Sequence, residues 1–448
     1  MPVPSADTSA PTIAPTLQTP PAPLLGFNAE EFQSRRAALR KSCPEGIILL
    51  RGSTEDEAVN PGRYQQNSNF LYFTGVQTPG AVLVLLPDDL SASIGLRGTA
   101  PEVKEILFLP ARNPVGETWT GPKLGPGEDT EKAAGIQKAA DASQLFGALT
   151  SWLRYSPVVY TAAPFGETAK LTRDYAFIQK LIEFAPTVQL RDATVSIGRL
   201  RMVKSEAEIA RINEAIEITH DGHRAARKLI ASGDGVKEFV VEAAVFEAFR
   251  SRGAGLAFGV IVGGGVNGTI LHYEDNNETL KRGDLVVVDI GAKVGAYCGD
   301  ITRTYPVGGV FGEREREIYN LVLEAHRRTI SEYKPCDTLQ NLTDRCKAFY
   351  KESSLRSKDA AGAEQTLDNF MPHGLSHHLG LDVHDVGDRE TPLAPGQVIT
   401  VEPGLYLPAE KIGVRIEDDY LVTETGLQLL GPPLESDADE IEAAMRAD

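Results

Sequence analysis

Histidines are scarce in this chain and concentrated in one stretch. Four of the eight lie between residues 371 and 387: His373, His377, His378 and His384. Imidazole is well suited to bind a metal or move a proton near neutral pH. His373 and His377 have the spacing of paired ligands on a helix, but Pro372 and Gly374 make a regular helix there unfavourable. The pattern therefore predicts one metal ligand in this stretch, with the other histidines handling protons or binding a carbonyl, and does not say which is the ligand.

Two aspartates lie within a predicted β-hairpin. The apolar strand predicted over residues 285–292 contains Asp289, and a second strand over residues 296–305 contains Asp300. If the chain turns at residues 294–295, the two aspartates are directly opposed, with Cβ atoms about 5 Å apart. Two carboxylates at that distance cannot both stay ionised unless a positive group lies between them. Either a shared proton or a metal cation would satisfy the pair.

Two more carboxylates follow apolar strands further along. Residues 397–402 form a strand that ends in Glu402, and residues 414–417 place Arg415 and Glu417 on one face by the strand period of two. Four acids with one imidazole make a hard, oxygen-rich ligand set that suits Mn²⁺, Co²⁺ or Zn²⁺. Four negative charges balance two divalent cations, so the sequence favours a binuclear site. Two such metals can share a hydroxide and polarise a carbonyl beside it, which is the chemistry of a hydrolase.

The elements that must position these groups fall into two predicted domains. Residues 1–25 hold seven prolines and a single charge, so we expect a disordered tail there. Residues 26–195 alternate strand-length apolar runs with helical segments, which predicts an α/β domain that serves oligomer contacts or forms a pocket wall. Residues 196–448 are expected to form the catalytic domain. In the first domain, the strands are predicted at 46–51, 69–73, 81–86, 105–110 and 157–160, and the helices at 28–41, 140–154 and 173–184.

The second domain is predicted to begin with two helices. Ser205 and Glu208 form a capping box that opens the first, on which His220 and His223 read as ordinary helix residues, and residues 236–250 form the second. The glycines at 263, 265 and 268 satisfy the pattern G-x-G-x-x-G, but residues 269–273 read as strand or loop. A dinucleotide site needs a helix at that point, so we interpret the glycines as a turn that positions His272.

Composition excludes several classes of partner. The formal net charge of −17 and the pI near 5.0 repel a phosphate backbone or an anionic membrane surface. No window approaches the roughly 20 apolar residues of a membrane span, and the first 25 residues lack the apolar run of a typical signal peptide. Four cysteines without metal-site or redox spacing fit a reducing compartment. We therefore expect a cytoplasmic protein that binds neither nucleic acid nor membrane.

The motifs together resemble a known family. They are HGLSH at residues 373–377, LGLDVHD at 379–385, VEPGLY at 401–406, RIED at 415–418 and, in the first domain, QQNSNFLYFTG at 65–75. This combination is similar to aminopeptidase P, the Xaa-Pro aminopeptidase of the prolidase and methionine aminopeptidase superfamily. The resemblance covers nearly everything after the proline-rich tail. It implies an N-terminal α/β domain of the creatinase and prolidase type, followed by a C-terminal pita-bread metallopeptidase domain.

The resemblance also implies roles for individual residues. Five residues would be metal ligands: Asp289, Asp300, His377, Glu402 and Glu417. Glu402 belongs to the motif VEPGLY and Glu417 to the motif RIED. Asp300 and Glu417 would bridge two divalent ions, most simply Mn²⁺, with Co²⁺ or Zn²⁺ as alternatives. Glu402 would be the base that acts on a bridging hydroxide, and His373 and His384 would assist in catalysis. His272, Arg415 and Tyr406 would bind or support the substrate.

The activity implied is hydrolysis of the bond between an N-terminal residue and a proline in second position. A homodimer or homotetramer is implied as well. His378 stands where family members carry a bulky aromatic residue, and we interpret it as a packing residue. Two alternatives remain open: a prolidase that cleaves Xaa-Pro dipeptides with the same site, and a pita-bread protein that binds peptides without catalysis. Since all five implied ligands are present, the enzymatic alternatives are favoured.

Overall fold

A computed structural model describes residues 25–55, 64–162, 173–233 and 235–447 of the chain. The predicted tail therefore lies, apart from residue 25, outside the described residues. The chain divides into two compact units, one ending at Ile197 and the other beginning at Gly198. None of the helices in the described ranges combines the length and apolar composition that a bilayer crossing requires.

The first unit is built on one six-stranded mixed sheet. Its strands are β1 (Ile47–Arg51), β2 (Val82–Leu85), β3 (Glu105–Leu109), β4 (Lys138–Asp141), β5 (Val158–Thr161) and β6 (Gln189–Asp192). The order across the sheet is β4-β3-β2-β1-β5-β6, with β2 antiparallel to both neighbours and the other pairs parallel. Strands β1, β2, β3 and β5 are almost continuously buried, whereas β4 is half-buried and the edge strand β6 is largely exposed. A mixed sheet with buried central strands agrees with the prediction of an α/β layer.

Eight helices, the last reaching into the second unit, accompany these strands in the described residues. They are α1 (Ala29–Ser42), α2 (Ser68–Thr74), α3 (Ala92–Gly95), α4 (Pro114–Thr120), α5 (Glu128–Ala134), α6 (Leu145–Trp152), α7 (Arg173–Phe184) and α8 (Thr194–Met202). The strand predicted over residues 69–73 is wrong, because this run is helix α2. The side chain of Asn67 accepts a hydrogen bond from the Phe70 amide at 3.0 Å and so caps the helix. A short run that is buried on every side carries no period that distinguishes a strand from a helix.

The second unit contains five further helices among its described residues. They are α9 (Glu206–Ala231), α10 (Glu238–Ser251), α11 (Glu313–Ser331), α12 (Leu339–Glu352) and α13 (Ala438–Ala447). The predicted capping box is confirmed, since Ser205 and Glu208 exchange both of its hydrogen bonds at the start of α9. After residue 264 the chain forms a 3-10 turn over Gly265–Thr269 instead of an α-helix, in agreement with the rejected dinucleotide site.

The strands of the second unit are short and are arranged in several small sheets. They are β7 (Gly255–Leu256), β8 (Ile261–Gly264), β9 (Leu285–Ile290), β10 (Ala292–Val294), β11 (Tyr297–Cys298), β12 (Ile301–Pro306), β13 (Arg356–Lys358), β14 (Glu364–Thr366), β15 (Val398–Val401), β16 (Gly404–Leu407), β17 (Ile412–Arg415), β18 (Asp418–Val422) and β19 (Leu427–Leu429). Two antiparallel sheets matter most for the site, β12-β9-β8 and β15-β18-β19. An isolated β-bridge joins Thr302 on β12 to Glu417, the residue directly before β18.

The predicted register of the aspartate hairpin is wrong by two residues. Asp289 pairs with Thr302 across β9 and β12, and Asp300 lies in the break between β11 and β12. The turn falls at Gly295 and Ala296, whose φ angles of 52° and 73° are both positive, as a tight type I′ hairpin requires. An alanine at such a position is uncommon, so the sequence placed the turn one residue too early. A shift of two keeps Asp289 and Asp300 on the same face of the ribbon.

Candidate metal centre

All ten predicted site residues line one cavity of about 500 Å³ in the second unit. Their side chains come from strand ends and loops: Asp289 on β9, Asp300 before β12, Glu402 directly after β15, Glu417 between β17 and β18, Arg415 on β17, Tyr406 on β16, and His272, His373, His377 and His384 on loops. Strand ends suit this task because the ladder fixes the backbone while the last side chain is free to turn inward. The structure thus brings the predicted residues together, and their individual roles remain predictions.

Three carboxylates surround the imidazole of His377. Its Nε2 lies 3.5 Å from Asp300 Oδ2, 3.8 Å from Glu402 Oε1 and 3.9 Å from Glu417 Oε1. Donor atoms of Asp300, His377 and Glu417 all lie within 4.8 Å of one another, a spacing at which one metal ion could contact all three. The other ring nitrogen, Nδ1, lies 3.1 Å from the carbonyl oxygen of His378. Donation from Nδ1 to that carbonyl directs the lone pair of Nε2 toward the carboxylates, as in many metal-binding histidines.

The carboxylates are too close and too buried to be stable as free anions. Burial, reinforced by the charge of Asp289, raises the pKa of Asp300 to about 6. Burial and the charges of Asp300 and Asp289 likewise raise the pKa of Glu402 to about 7, and Glu417 is raised well above its usual pKa in the same way. Burial alone would lower the pKa of His377, but the hydrogen bond to Asp300 and the charge of Glu402 raise it to about 9. Burial and the repulsion between neighbouring acids thus raise the pKa values of the carboxylates, and the same acids raise that of His377.

Among the described residues, two cationic groups reach the four carboxylates of the cluster, the His377 imidazole and Arg415, so the acids outnumber them. Arg415 Nη2 donates to Asp289 Oδ2 at 2.6 Å, while Asp289 Oδ1 is buried with no hydrogen-bond partner among the described residues. Buried charges are normally paired or bound to a metal. Carboxylate oxygens with one imidazole are a donor set for hard or borderline divalent cations, so the residues present fit a metal centre.

A chain of hydrogen bonds runs from Arg415 to His373. Arg415 Nη1 donates to the Tyr406 hydroxyl at 2.8 Å, and that hydroxyl lies 2.9 Å from His373 Nε2. His373 Nδ1 lies 2.7 Å from the carbonyl of Gly374, which can only accept, so Nδ1 carries the hydrogen. Burial, together with the charge of Arg415, lowers the pKa of His373 to about 4. The neutral ring therefore accepts the tyrosine hydrogen at Nε2.

Two residues that the sequence did not single out support the cluster. The Thr302 hydroxyl accepts from Arg415 Nε at 3.1 Å and donates to Glu417 Oε2 at 2.8 Å. The buried carboxylate of Asp419 accepts from the Asp300 amide at 3.0 Å. The correct hairpin register would have pointed to Thr302, because it stands opposite Asp289. Asp419 follows two other acids in sequence and gives no such signal.

The remaining histidines occupy different positions around the cavity. The His384 ring meets the His377 ring edge to face, with centroids 4.5 Å apart, and burial followed by the charge of His377 lowers its pKa. His272 is exposed at the cavity wall. His378 is only 3% exposed and does not line the cavity, which is consistent with a packing side chain.

Comparisons with known proteins match both units. The family described as Metallopeptidase family M24 matches residues 210–424, and the one described as Aminopeptidase P, N-terminal domain, matches residues 32–160. The Xaa-Pro aminopeptidase of Escherichia coli strain K12 is 35% identical over 449 aligned residues, covering 94% of this chain and 98% of the relative.

Solved structures match along the same length. Zinc-substituted Escherichia coli aminopeptidase P in complex with product has a TM-score of 0.81 and 34% identity, covering 94% of this chain and 99% of that one. Proline aminopeptidase P II from Yersinia pestis has a TM-score of 0.80 and 31% identity, covering 94% of this chain and 100% of that one. Both halves of the chain and the order in which they occur are therefore shared with these proteins.

Proposed function

Because this chain belongs to the aminopeptidase P family and is an Xaa-Pro aminopeptidase with a pita-bread M24 domain, we propose that it works with two divalent cations bound by Asp289, Asp300, His377, Glu402 and Glu417. The observation that carries the proposal is the excess of buried carboxylate over protein cations in the cavity. Asp300, Glu402 and Glu417 all have raised pKa values because they are buried close to Asp289 and to one another, although Arg415 acts in the opposite direction. Two divalent ions would balance that charge, and Mn²⁺ is the ion we expect first.

The chemistry that such ions supply when bound is polarisation of a carbonyl and a lowered pKa of water. The protein side chains then have separate tasks. We assign Glu402 the role of general base, and its position beside both His377 and His373 supports this assignment. His373 is held in one orientation by Tyr406 and Gly374, and His384 stands beside His377. These two histidines orient the scissile carbonyl and transfer protons.

The proposed function also includes a preference for substrates with proline in second position. A bond to proline nitrogen is a tertiary amide without an N–H, so a protease that grips the substrate backbone there has no donor to use. A site that recognises the terminal amine and the scissile carbonyl avoids this need. We propose that the proline ring lies near His272 and that Arg415 and Tyr406, which line the same cavity, support the substrate.

The test is metal reconstitution followed by a peptide panel. The chain is treated with a chelator, the metal is removed, and Mn²⁺, Co²⁺ or Zn²⁺ is added back before assay on Xaa-Pro-Xaa tripeptides and matched Xaa-Pro dipeptides. We expect two equivalents of metal per chain and cleavage of the tripeptides at the first bond. Cleavage confined to dipeptides would identify a prolidase instead, and one equivalent of metal at full activity would contradict the binuclear site.

Two further properties belong to the proposal. All four cysteines are free thiols, as expected for a protein of the reducing cytoplasm. A homodimer or homotetramer is the expected assembly, and sedimentation equilibrium of the purified protein distinguishes these from a monomer. Fractionation of the native cells, with antibody against the chain, tests the cytoplasmic location.

A further inference from the structure

A cluster of mostly buried charged residues joins the segment at residues 201–204 to the loop that carries His384. Lys204 Nζ donates to Asp385 Oδ2 at 2.8 Å, and Arg201 Nη2 contacts both Asp385 and Asp382, the latter at 2.8 Å. The side chains of Arg201, Lys204 and Asp385 are 3%, 1% and 2% exposed, whereas Asp382 is 44% exposed. We call these four residues the anchoring cluster. They take no part in the chemistry proposed above.

The backbone around the anchoring cluster is tied at a second point. The Lys204 amide donates to the Gly396 carbonyl at 2.8 Å, and Val203 forms a β-bridge with Gln397. Residue 397 is followed at once by β15, the strand that Glu402 directly follows. The segment from Arg201 to Lys204 therefore contacts the start of one site strand with its backbone and the His384 loop with its side chains.

The packing inside the loop leaves little freedom for Asp385. A Cβ atom at Gly380 would lie 2.1 Å from Asp385 Oδ2 and 3.0 Å from Lys204 Cε, so the loop closes over the ion pair only because residue 380 has no side chain. Burial works to raise the pKa of Asp385, but the charges of Lys204 and Arg201 hold it below its usual value. The carboxylate is thus ionised and fixed between two cations.

The anchoring cluster reaches the metal centre through one carbonyl group. The Asp385 amide donates to the His378 carbonyl at 2.9 Å, and His377 Nδ1 lies 3.1 Å from the same oxygen. Asp385 also directly follows His384, whose ring meets that of His377. The Asp385 backbone therefore carries the His384 ring and, together with the β-bridge from His378 to Ile399, holds the acceptor for His377.

We propose that Lys204, Arg201 and Asp385 are positioning residues for His377 and His384. By holding the Asp385 backbone, the anchoring cluster keeps the His378 carbonyl in place for His377 Nδ1, and so fixes the orientation in which Nε2 faces Asp300 and Glu417. This inference rests on the proposed function, because it assigns His377 to the metal. Removing partners of this kind typically weakens metal binding or activity 10–100-fold.

The decisive variant is Lys204→Met, with Lys204→Arg as the conservative partner. Metal-free protein is titrated with Co²⁺ and followed by visible absorption, kcat and KM are measured on an Xaa-Pro-Xaa tripeptide, and thermal unfolding is recorded with chelator present. We expect Lys204→Met to weaken Co²⁺ binding about 10–100-fold and to lower kcat more than it changes KM. Lys204→Arg should restore most of both, since it keeps a cation beside Asp385.

A matched control separates positioning from stability. Arg36 in the first unit makes a buried ion pair with Glu105 at 2.8 Å, so Arg36→Met removes a similar interaction outside the site's unit. We expect Arg36→Met to lower the unfolding temperature without weakening Co²⁺ binding. Equal losses of Co²⁺ affinity in Arg36→Met and Lys204→Met, or wild-type affinity and kcat in Lys204→Met, would overturn the proposal.

Two arrangements keep the test interpretable. If Lys204→Met does not fold, Asp385→Asn takes its place, since it keeps the size of the side chain while removing its charge, and wild-type Co²⁺ affinity in that variant would equally overturn the proposal. The wild-type protein is measured first for metal stoichiometry and peptide cleavage. Wild-type protein that binds Co²⁺ but cleaves no Xaa-Pro-Xaa peptide contradicts the function alone, because the Co²⁺ titration still reports on His377.

Discussion

Two buried groups of charged residues in the same unit are built on opposite plans. In the anchoring cluster, Asp385 is sealed from solvent between Lys204 and Arg201, and its pKa is lowered. In the candidate metal centre, the side chains of Asp300 and Glu402 are 6% and 17% exposed. Burial and the neighbouring acids there outweigh the effect of His377 and Arg415, and the two pKa values rise to about 6 and about 7. Burial alone therefore does not decide the state of a carboxylate. The balance between nearby cations and nearby acids decides the direction of the shift.

This contrast separates a structural role from a functional one. A fully paired buried acid is satisfied by the fold and needs nothing more. A group of unpaired buried acids is unstable by itself and persists because the surrounding strands fix it in place, so it is ready for a ligand of opposite charge. The same residue type thus serves to anchor a loop in one place and to attract metal in the other.

The largest expected effect comes from neutralising one acid in each cluster. Asp300→Asn should abolish peptide cleavage and lose Co²⁺ from the site, yet raise the unfolding temperature of the chelated protein, because it removes repulsion. Asp385→Asn should lower that temperature, since breaking a buried ion pair costs about 3–5 kcal/mol. Calorimetry in excess chelator measures both. A destabilised Asp300→Asn protein would show that the contrast between the clusters is wrong.

A second expectation concerns a buried histidine, His326, whose acid neighbour Asp418 does not offset the effect of burial. Burial lowers the pKa of His326 to about 4, from an ordinary value of 6.5. The unfolded chain then binds the extra proton between these two values, so the stabilisation is complete above pH 6.5 and is lost as the pH falls toward 4. A shift of this size corresponds to on the order of 3 kcal/mol.

The matched measurement uses chemical denaturation of the wild-type and His326→Gln proteins, with chelator present in both. Between pH 6.5 and pH 4, the free energy of unfolding should fall less steeply for the variant than for the wild type. The two slopes should differ by up to about 1.4 kcal/mol per pH unit, because the variant takes up one fewer proton on unfolding. Parallel slopes for the two proteins would show that His326 is not neutral in the fold. The comparison extends the lesson of the two clusters to a group whose charged form is the cation.

The smallest expected effect is at the hydrogen-bond chain within the metal centre. Tyr406→Phe removes the hydroxyl between Arg415 and His373 but leaves the five proposed metal ligands unchanged. One hydrogen bond of this kind contributes about 0.5–1.5 kcal/mol, so kcat should fall by about 10-fold or less while Co²⁺ affinity stays within about twofold. A large loss of Co²⁺ affinity would instead assign the tyrosine to the support of Asp289 through Arg415.

Much of the fold followed from local pattern, and the errors have local causes. Strand β9 and the capping box of α9 carry clear signals of period and spacing. Helix α2 does not, because its apolar residues are buried on every side. The hairpin register depends on a turn in which Ala296 has a positive φ angle. Alanine rarely adopts this conformation, so the sequence gives no sign of the turn's position. Because the predicted register was wrong by two residues, it did not place Thr302 opposite Asp289, but it kept the two aspartates on the correct face.

The metal centre was more accessible to sequence reasoning than the residues behind it. Carboxylates inside apolar strands are conspicuous, because an acid there needs an explanation, and the family motifs name the same positions. Lys204 and Asp385 are ordinary charged residues separated by 181 positions, and only the folded chain brings them together. Pairings of that kind depend on the packing of distant loops and leave no periodic trace.

The carbonyl of His378 has one more consequence, which concerns tolerance to change. The group that orients His377 belongs to the backbone, so any residue at position 378 can provide it. The ring of His378 fills a buried space against Gly387, where an added Cβ would lie 2.1 Å from the ring carbon Cδ2. The ring at position 378 therefore matters for the volume it fills rather than for imidazole chemistry. An aromatic ring of similar size there would leave in place the carbonyl that orients His377, the proposed ligand.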